Sequence, residues 1–292
     1  MRKFRRIILN IQGYFKKSME INCKGKLICL DSPQIMGILN LTPDSFYDGG
    51  KYKSDKEILT QTEKMLTEGA FCVDVGAYSS RPGADDISTE EELSRILPIV
   101  ELLLKKFPEI LLSIDTFRSK VAQKCVETGA AIVNDISGGC LDENMLETVG
   151  KLQVPFVMMH MQGNPQNMKD NNHYENLIQD IIYYFSQQVA KARQHQINDI
   201  IIDPGFGFSK NIQQNFELLN HLESFKILDL PLLAGLSRKS MIYKTLKTTP
   251  ENALNGTTAL NAIALYNKAN ILRVHDVKEA KECVRLMQNI IN

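Results

Sequence analysis

Short apolar runs, many of them β-branched, alternate along this chain with longer stretches of helical period. The runs are IMGIL (35–39), FCVDV (71–75), LLSID (111–115), AIVND (131–135), FVMMH (156–160), IIIDP (200–204), LLAG (232–235) and ILRVH (271–275). Their hydrophobicity is continuous rather than alternating, as in parallel strands covered on both faces. Between them, Leu177, Ile178, Ile181, Ile182, Phe185, Val189 and Ala192 fall on one helical face, as do Ala280, Val284, Met287 and Ile291. Ser88 ahead of Glu90, Glu91 and Glu92, and Ser119 ahead of 120–128, read as helix caps. Gly69 and Gly129 read as helix ends.

Eight such βα units predict an α/β fold, a closed (β/α)8 TIM barrel of eight parallel strands. A doubly wound open sheet ranks second, because no GxGxxG follows the first run. Residues 20–292 are expected to form a single domain. Its opening stretch, about 20–33, reads as a short lead-in hairpin that closes the barrel bottom. Residues 1–19 carry Arg2, Lys3, Arg5, Arg6, Lys16 and Lys17 and no acid. They read as a basic tail, disordered or marking a start assigned too early, without the apolar stretch of a signal peptide.

Charge narrows the function classes. The 34 Lys+Arg balance the 34 Asp+Glu of the 292 residues. A general nucleic-acid binder carries a basic excess, so nucleic acid is not an expected partner. No apolar run approaches the roughly 20 residues of a membrane-spanning helix, so no membrane partner is expected either. The six cysteines (Cys23, Cys29, Cys72, Cys125, Cys140 and Cys283) form no CxxC pair. They read as small core hydrophobes in a reducing, cytoplasmic compartment.

The strand ends carry the candidate chemistry. Asn40, Asp74, Asp115, Asn134 with Asp135, His160, Asp203, Gly235 followed by Arg238 and Lys239, and Arg273 with His275 close the eight runs in turn. In a barrel these ends converge on the C-terminal rim, where barrel active sites form. A single terminal Asp is more often a helix cap; all eight ends polar or glycine is harder to explain that way. Asp115, Asn134 and Asp203 suit the hydrogen-bonding edge of a flat, nitrogen-rich ring. Lys239, Arg273 and His275 suit a phosphate ester. The loop NLTPDSFYDGG (40–50) adds Asp44 and Asp48, hard oxygen ligands that suit Mg²⁺ shared with substrate phosphates. His160 reads as a packed rim histidine, and Met158 and Met159 as core or pocket apolars.

On these residues the sequence resembles the dihydropteroate synthases. MGILNLTPDSFYDGG (36–50), SSRPG (79–83), SIDT (113–116), NDISGG (134–139), DPGFGF (203–208), SRKS (237–240) and RVHDV (273–277) follow in the family's order. The resemblance implies a pterin-binding barrel of transferase activity. Such an enzyme condenses 6-hydroxymethyl-7,8-dihydropterin pyrophosphate with p-aminobenzoate, giving 7,8-dihydropteroate and pyrophosphate in folate biosynthesis. It also implies sulfonamides as p-aminobenzoate mimics, Mg²⁺ as cofactor and a homodimer. By the family pattern, Asp115, Asn134, Ile136, Asp203, Phe208, Lys239 and Arg273 bind the pterin. Asn40, Arg81, Arg273 and His275 bind the pyrophosphate, with Asn40 also on the metal. Phe46, Ser80, Pro82, Phe208, Lys239 and Ser240 bind p-aminobenzoate. Asp48, Asp115, Lys239, Arg273 and His275 are the catalytic set. Two departures stand out: Tyr78 where the family commonly has Glu, and Leu236 where Thr is usual. The alternatives are a methyltetrahydrofolate methyltransferase domain, which shares the pterin cradle without the phosphate-facing cations, and a non-catalytic pterin-binding paralogue.

Overall fold

The structure, a computed structural model, describes residues 18–41, 55–78, 87–168 and 170–291. It opens with an antiparallel hairpin, β1 (Glu20–Cys23) and β2 (Lys26–Cys29). The barrel strands follow: β3 (Gln34–Asn40), β4 (Cys72–Gly76), β5 (Leu112–Asp115), β6 (Ile132–Asp135), β7 (Phe156–Met159), β8 (Ile200–Asp203), β9 (Leu233–Ala234) and β10 (Ile271–Val274). The helices are α1 (Asp55–Thr67), α2 (Thr89–Lys106), α3 (Ser119–Thr128), α4 (Met145–Leu152), α5 (Leu177–Gln194), α6 (Ile212–Asn220), α7 (Ser240–Tyr243), α8 (Leu254–Tyr266) and α9 (Val277–Ile291), with a 3-10 turn at Leu222–Leu228. None of the described helices is long and apolar enough to cross a membrane.

The strands pair in the order β8-β7-β6-β5-β4-β3-β10-β9, all parallel. A parallel bridge between Ile202 and Leu232 joins the two edges and closes the predicted barrel. β9 is short because Pro231 precedes it and Gly235 follows.

Strand alternation sorts the side chains into two cores. Ile35, Val73, Val75, Leu112, Ile114, Val133, Phe156, Ile200, Ile202, Leu272 and Val274 face the helices in the main cluster. At Gly37 the helices come so close that an added Cβ would sit 2.9 Å from the Met65 sulfur. Met36, Cys72, Leu111, Ile132, Val157, Ile201, Leu233 and Ile271 point the other way and fill the bottom of the barrel. Ile21, Cys23 and Leu30 of the hairpin stopper that layer, as the lead-in reading expects. The Met19 carbonyl, just ahead of β1, accepts from the Leu30 amide at 2.7 Å.

The helix signals mostly hold. Ser88 caps α2 by accepting from the Glu91 amide at 3.1 Å, and Gly129 ends α3 at φ 127°. Ser119 is not the cap of α3. It is the first helical residue, and its amide donates to Asp142 Oδ2 at 2.7 Å, so a carboxylate from the next βα loop satisfies the helix start. Among the cysteines, Cys23, Cys72, Cys125 and Cys283 are buried; Cys29 and Cys140 are exposed, against the uniform core reading.

Candidate active site

The candidate site is the second inward layer of the barrel. Two residues beyond Cys72, Ile132, Ile201, Leu233 and Ile271, the same face carries Asp74, Asn134, Asp203, Gly235 and Arg273. The period of two therefore stacks a polar layer directly on an apolar one. Asp115 and Asn40 extend it toward the C-terminal mouth.

Arg273 organises one side. Its Nε donates to Asp74 Oδ2 at 2.6 Å, and its Nη2 to Asp115 Oδ2 at 2.5 Å. Asn134 Nδ2 donates to the same Asp74 oxygen at 2.9 Å. Asp74 is fully buried, and its Oδ1 has no hydrogen-bond partner among the described residues. Burial pushes the Asp115 carboxyl up to about 7 despite the opposing pull of Arg273, with the Asp74 charge adding to the rise.

Lys239 organises the other side. Its Nζ donates to the Phe206 carbonyl and stands 4.6 Å from the Phe208 ring centroid. Burial pulls its ammonium down to about 8, while Asp203 works against that fall. Asp203 is raised by burial and held back mainly by Lys239; its Oδ1 accepts from the Gly205 amide at 2.8 Å. The two sides are within electrostatic reach of one another. Asp203 feels Arg273, and Lys239 feels both Arg273 and Asp115. Beside them Ile136, Met159, Met161 and Met168 form a small apolar cluster, with Phe117 and Phe208 against it.

At the rim, Asn40 ends β3 and His275 follows β10, its neighbour in the sheet. His275 is exposed, with Nδ1 2.9 Å from the Ser237 hydroxyl. Ser240 is half-buried and opens α7, a helix of only four residues. Phe46, Asp48, Ser80, Arg81 and Pro82, together with Asp44, lie outside the described residues.

Not every polar strand end enters the site. Asp135 caps its own turn, accepting from Ser137 N and Oγ at 2.7 Å and from Gly139 N at 2.8 Å. Arg238 forks onto Asp276 at 2.8 and 2.9 Å. His160 is buried against Tyr184, with ring centroids 4.8 Å apart, and its Nδ1 meets Lys210 Nζ at 3.1 Å. Asp74 reads in the sequence as a polar strand end without a role, and Lys210 is not read at all. Asp74 looked like any strand-closing Asp, and Lys210 lies two residues past the DPGFGF motif; the strongest hint for each was its place on a strand end or glycine turn.

The departures have local partners. Tyr78 packs edge-on to Phe117 with ring centroids 5.0 Å apart, under the Arg118 guanidinium, and accepts from Gln166 Nε2 at 3.0 Å. Leu236 is fully buried in the main core.

Comparison with known proteins gives the family. The family described as pterin binding enzyme matches residues 36–275. A dihydropteroate synthase of Escherichia coli K12 is 40% identical over 272 residues, covering 92% of this chain and 96% of that protein. The chain belongs to the dihydropteroate synthase family. A solved Yersinia pestis dihydropteroate synthase in complex with a sulfonamide drug is 39% identical. It covers 93% of this chain and 99% of its own at a TM-score of 0.88. A Xanthomonas albilineans dihydropteroate synthase solved with 4-aminobenzoic acid is 36% identical, with a TM-score of 0.86 over 94% of this chain and 98% of its own. Membership disfavours the methyltransferase alternative and bears out the barrel.

Proposed function

We propose that this chain condenses 6-hydroxymethyl-7,8-dihydropterin pyrophosphate with p-aminobenzoate to give 7,8-dihydropteroate and pyrophosphate, a step of folate biosynthesis. The observation that carries the reading is the mutual placement of Asp203, Lys239, Arg273 and Asp115 in one polar layer at the C-terminal mouth.

In this reading Asp203, Asn134 and Lys239 hydrogen-bond the pterin edge. The Ile136 cluster and Phe208 wall the ring, and Arg273 lies against its face. Arg273, His275 and Asn40, with Arg81 from the second loop, receive the diphosphate. Loss of the diphosphate leaves a cationic exocyclic methylene. An anionic Asp115 nearby stabilises that charge while the cations hold the leaving group. An aniline nitrogen is a weak nucleophile, so a strong electrophile does the work and no covalent enzyme intermediate is needed. Phe46, Ser80, Pro82, Phe208, Lys239 and Ser240 take p-aminobenzoate, and Asp48 acts from the first loop as it closes.

The donor set fits Mg²⁺. The described residues hold no group of three or more His, Cys, Asp or Glu that would cage a metal. Asn40 offers a hard oxygen beside the diphosphate cations, and a cation shared with substrate phosphates needs few protein ligands. Held by Asn40 with Asp44 or Asp48, Mg²⁺ would supply charge neutralisation to the departing diphosphate.

Residues 20–292 serve as one catalytic domain, with the basic tail outside it. The free thiols fit a reducing cytoplasm. We assign a homodimer through α8, whose Ile263 and Tyr266 are 43% and 62% exposed. The deciding experiment is pyrophosphate release from the pterin substrate with and without p-aminobenzoate and Mg²⁺. Release that depends on the aryl amine is expected; pterin binding without it would make the chain a binding module.

A further inference from the structure

We propose that Lys210 is a positioning residue for Lys239: its ammonium pins the Gly205–Ser209 turn so that the Phe206 carbonyl and the Phe208 ring meet the Lys239 ammonium. Lys210 is 8% exposed and takes no part in the mechanism above. Its Nζ has three acceptors: the Gly205 carbonyl at 3.1 Å, the Phe208 carbonyl at 3.0 Å and His160 Nδ1 at 3.1 Å. Burial pulls the Lys210 ammonium down to about 7 while Asp203 works against that fall; in its protonated form it has three N–H donors and no acceptor, and this tripod satisfies all three. Burial and the Lys210 charge hold His160 well below its ordinary range, which keeps the imidazole neutral and Nδ1 free to accept.

The turn needs such a pin. Gly205, Gly207 and Ser209 all have positive φ, at 75°, 81° and 50°. A Cβ on Gly205 would fall 2.1 Å from the His160 carbonyl oxygen, and one on Gly207 would fall 3.1 Å from Lys239 Cδ. The turn is thus pressed between His160 and Lys239, with three residues in a region that extended chains avoid. Asp203 Oδ1 fixes it at the Gly205 amide, and Asn215 Oδ1 at the Gly207 amide, 2.6 Å away. Lys210 grips the carbonyls on either side of Phe206 and Gly207. Those two residues carry the surface Lys239 rests on. Removing the ammonium would strip the Phe208 carbonyl of its donor and leave the Gly205 carbonyl with the Phe208 amide alone, at 3.1 Å, so the turn could reorient and take the Lys239 partners with it.

The substrate readout rests on the function proposed above. A second readout does not. In enzyme labelled with [13Cε]lysine, the Lys239 Hε signal, assigned by its loss in Lys239→Met, should be displaced by the Phe208 ring current. In Lys210→Met it should return toward the position of exposed lysines. An unmoved signal overturns the proposal whatever the reaction. With the pterin pyrophosphate, Lys210→Met should raise KM about tenfold, the scale of one charged hydrogen bond, with a smaller change in kcat. The double variant Lys210→Met/Lys239→Met should be no worse than Lys239→Met alone. A lowered kcat with unchanged KM, or losses that multiply, would mean a structural role only. Should Lys210→Met fail to fold, His160→Leu removes one acceptor of three. It should move the signal and KM in the same direction by a smaller amount; no movement in either overturns the proposal. Wild-type enzyme that shifts no signal on adding substrate, and turns none over, would instead sink the functional reading.

Discussion

Asp74 holds Arg273 and Asn134 with a single oxygen, at 2.6 and 2.9 Å, while its other oxygen is buried without a partner among the described residues. One carboxylate therefore fixes both a cation and an amide of the candidate pocket. Asp74→Asn keeps the shape but removes the charge that faces Arg273. It should lower kcat/KM for the pterin substrate on the order of 10–100-fold, the scale of a charged hydrogen bond. Steady-state kinetics with each substrate varied checks this. A variant with wild-type kcat/KM would show that Arg273 is placed without Asp74.

The activity should rise and then fall with pH. Asp115 acts as an anion in the proposed mechanism, and its carboxyl sits at about 7, so turnover climbs as pH rises through that value. Lys239 acts as an ammonium at about 8, so turnover falls as pH passes it. The logarithm of kcat/KM against pH should be bell-shaped, and Lys239→Met should lose the alkaline limb. A single plateau from pH 6 to 9 would contradict these assignments.

The same raised carboxyl has a stability consequence. A folded pKa near 7 against the ordinary 3.8 means that folding favours the protonated acid. The stabilisation is complete below pH 4 and is lost as pH rises through 7. Asp115→Asn should therefore flatten the fall in stability between pH 4 and 7, read by urea denaturation of the ligand-free protein. A slope equal to that of the wild type would place the titration elsewhere.

Tyr78 stands where the family commonly has Glu, yet it is tied in on three sides. Tyr78→Phe removes the Gln166 hydrogen bond and should cost about 1 kcal/mol or less. Tyr78→Ala also removes the Phe117 and Arg118 contacts and should cost about 1–3 kcal/mol. Thermal and chemical denaturation measure both. Equal losses would mean that the ring packing contributes nothing.

Charge placed on the proposed dimer face should break it. Ile263→Glu with Tyr266→Glu should yield a monomer in analytical ultracentrifugation with the barrel intact by circular dichroism. An unchanged sedimentation coefficient would move the interface elsewhere.

Much of this molecule is readable before any coordinates. The eight apolar runs name the strands because a parallel barrel buries both faces of each, so continuous hydrophobicity survives in the sequence. The candidate site is legible for a related reason: most strands carry one inward position near the mouth that departs from apolar, β7 with its Met159 being the exception. What stays hidden is which polar end turns inward. Asn134 and Asp135 are adjacent, and only the pairing register sends the first into the pocket and the second into its own turn. Ser119 misled because its amide partner, Asp142, lies 23 residues on, in another βα loop. Lys210 escaped because a lysine after a glycine turn reads as solvated; its three acceptors come from the turn itself and from a distant strand end.

The most direct measurement is a crystal structure with 6-hydroxymethyl-7,8-dihydropterin pyrophosphate bound. The ring is expected between Asp203, Asn134 and Lys239 with Arg273 on its face, and the diphosphate toward Asn40 and His275. A pterin bound outside the barrel mouth, or one whose diphosphate points away from Arg273 and His275, would contradict the account.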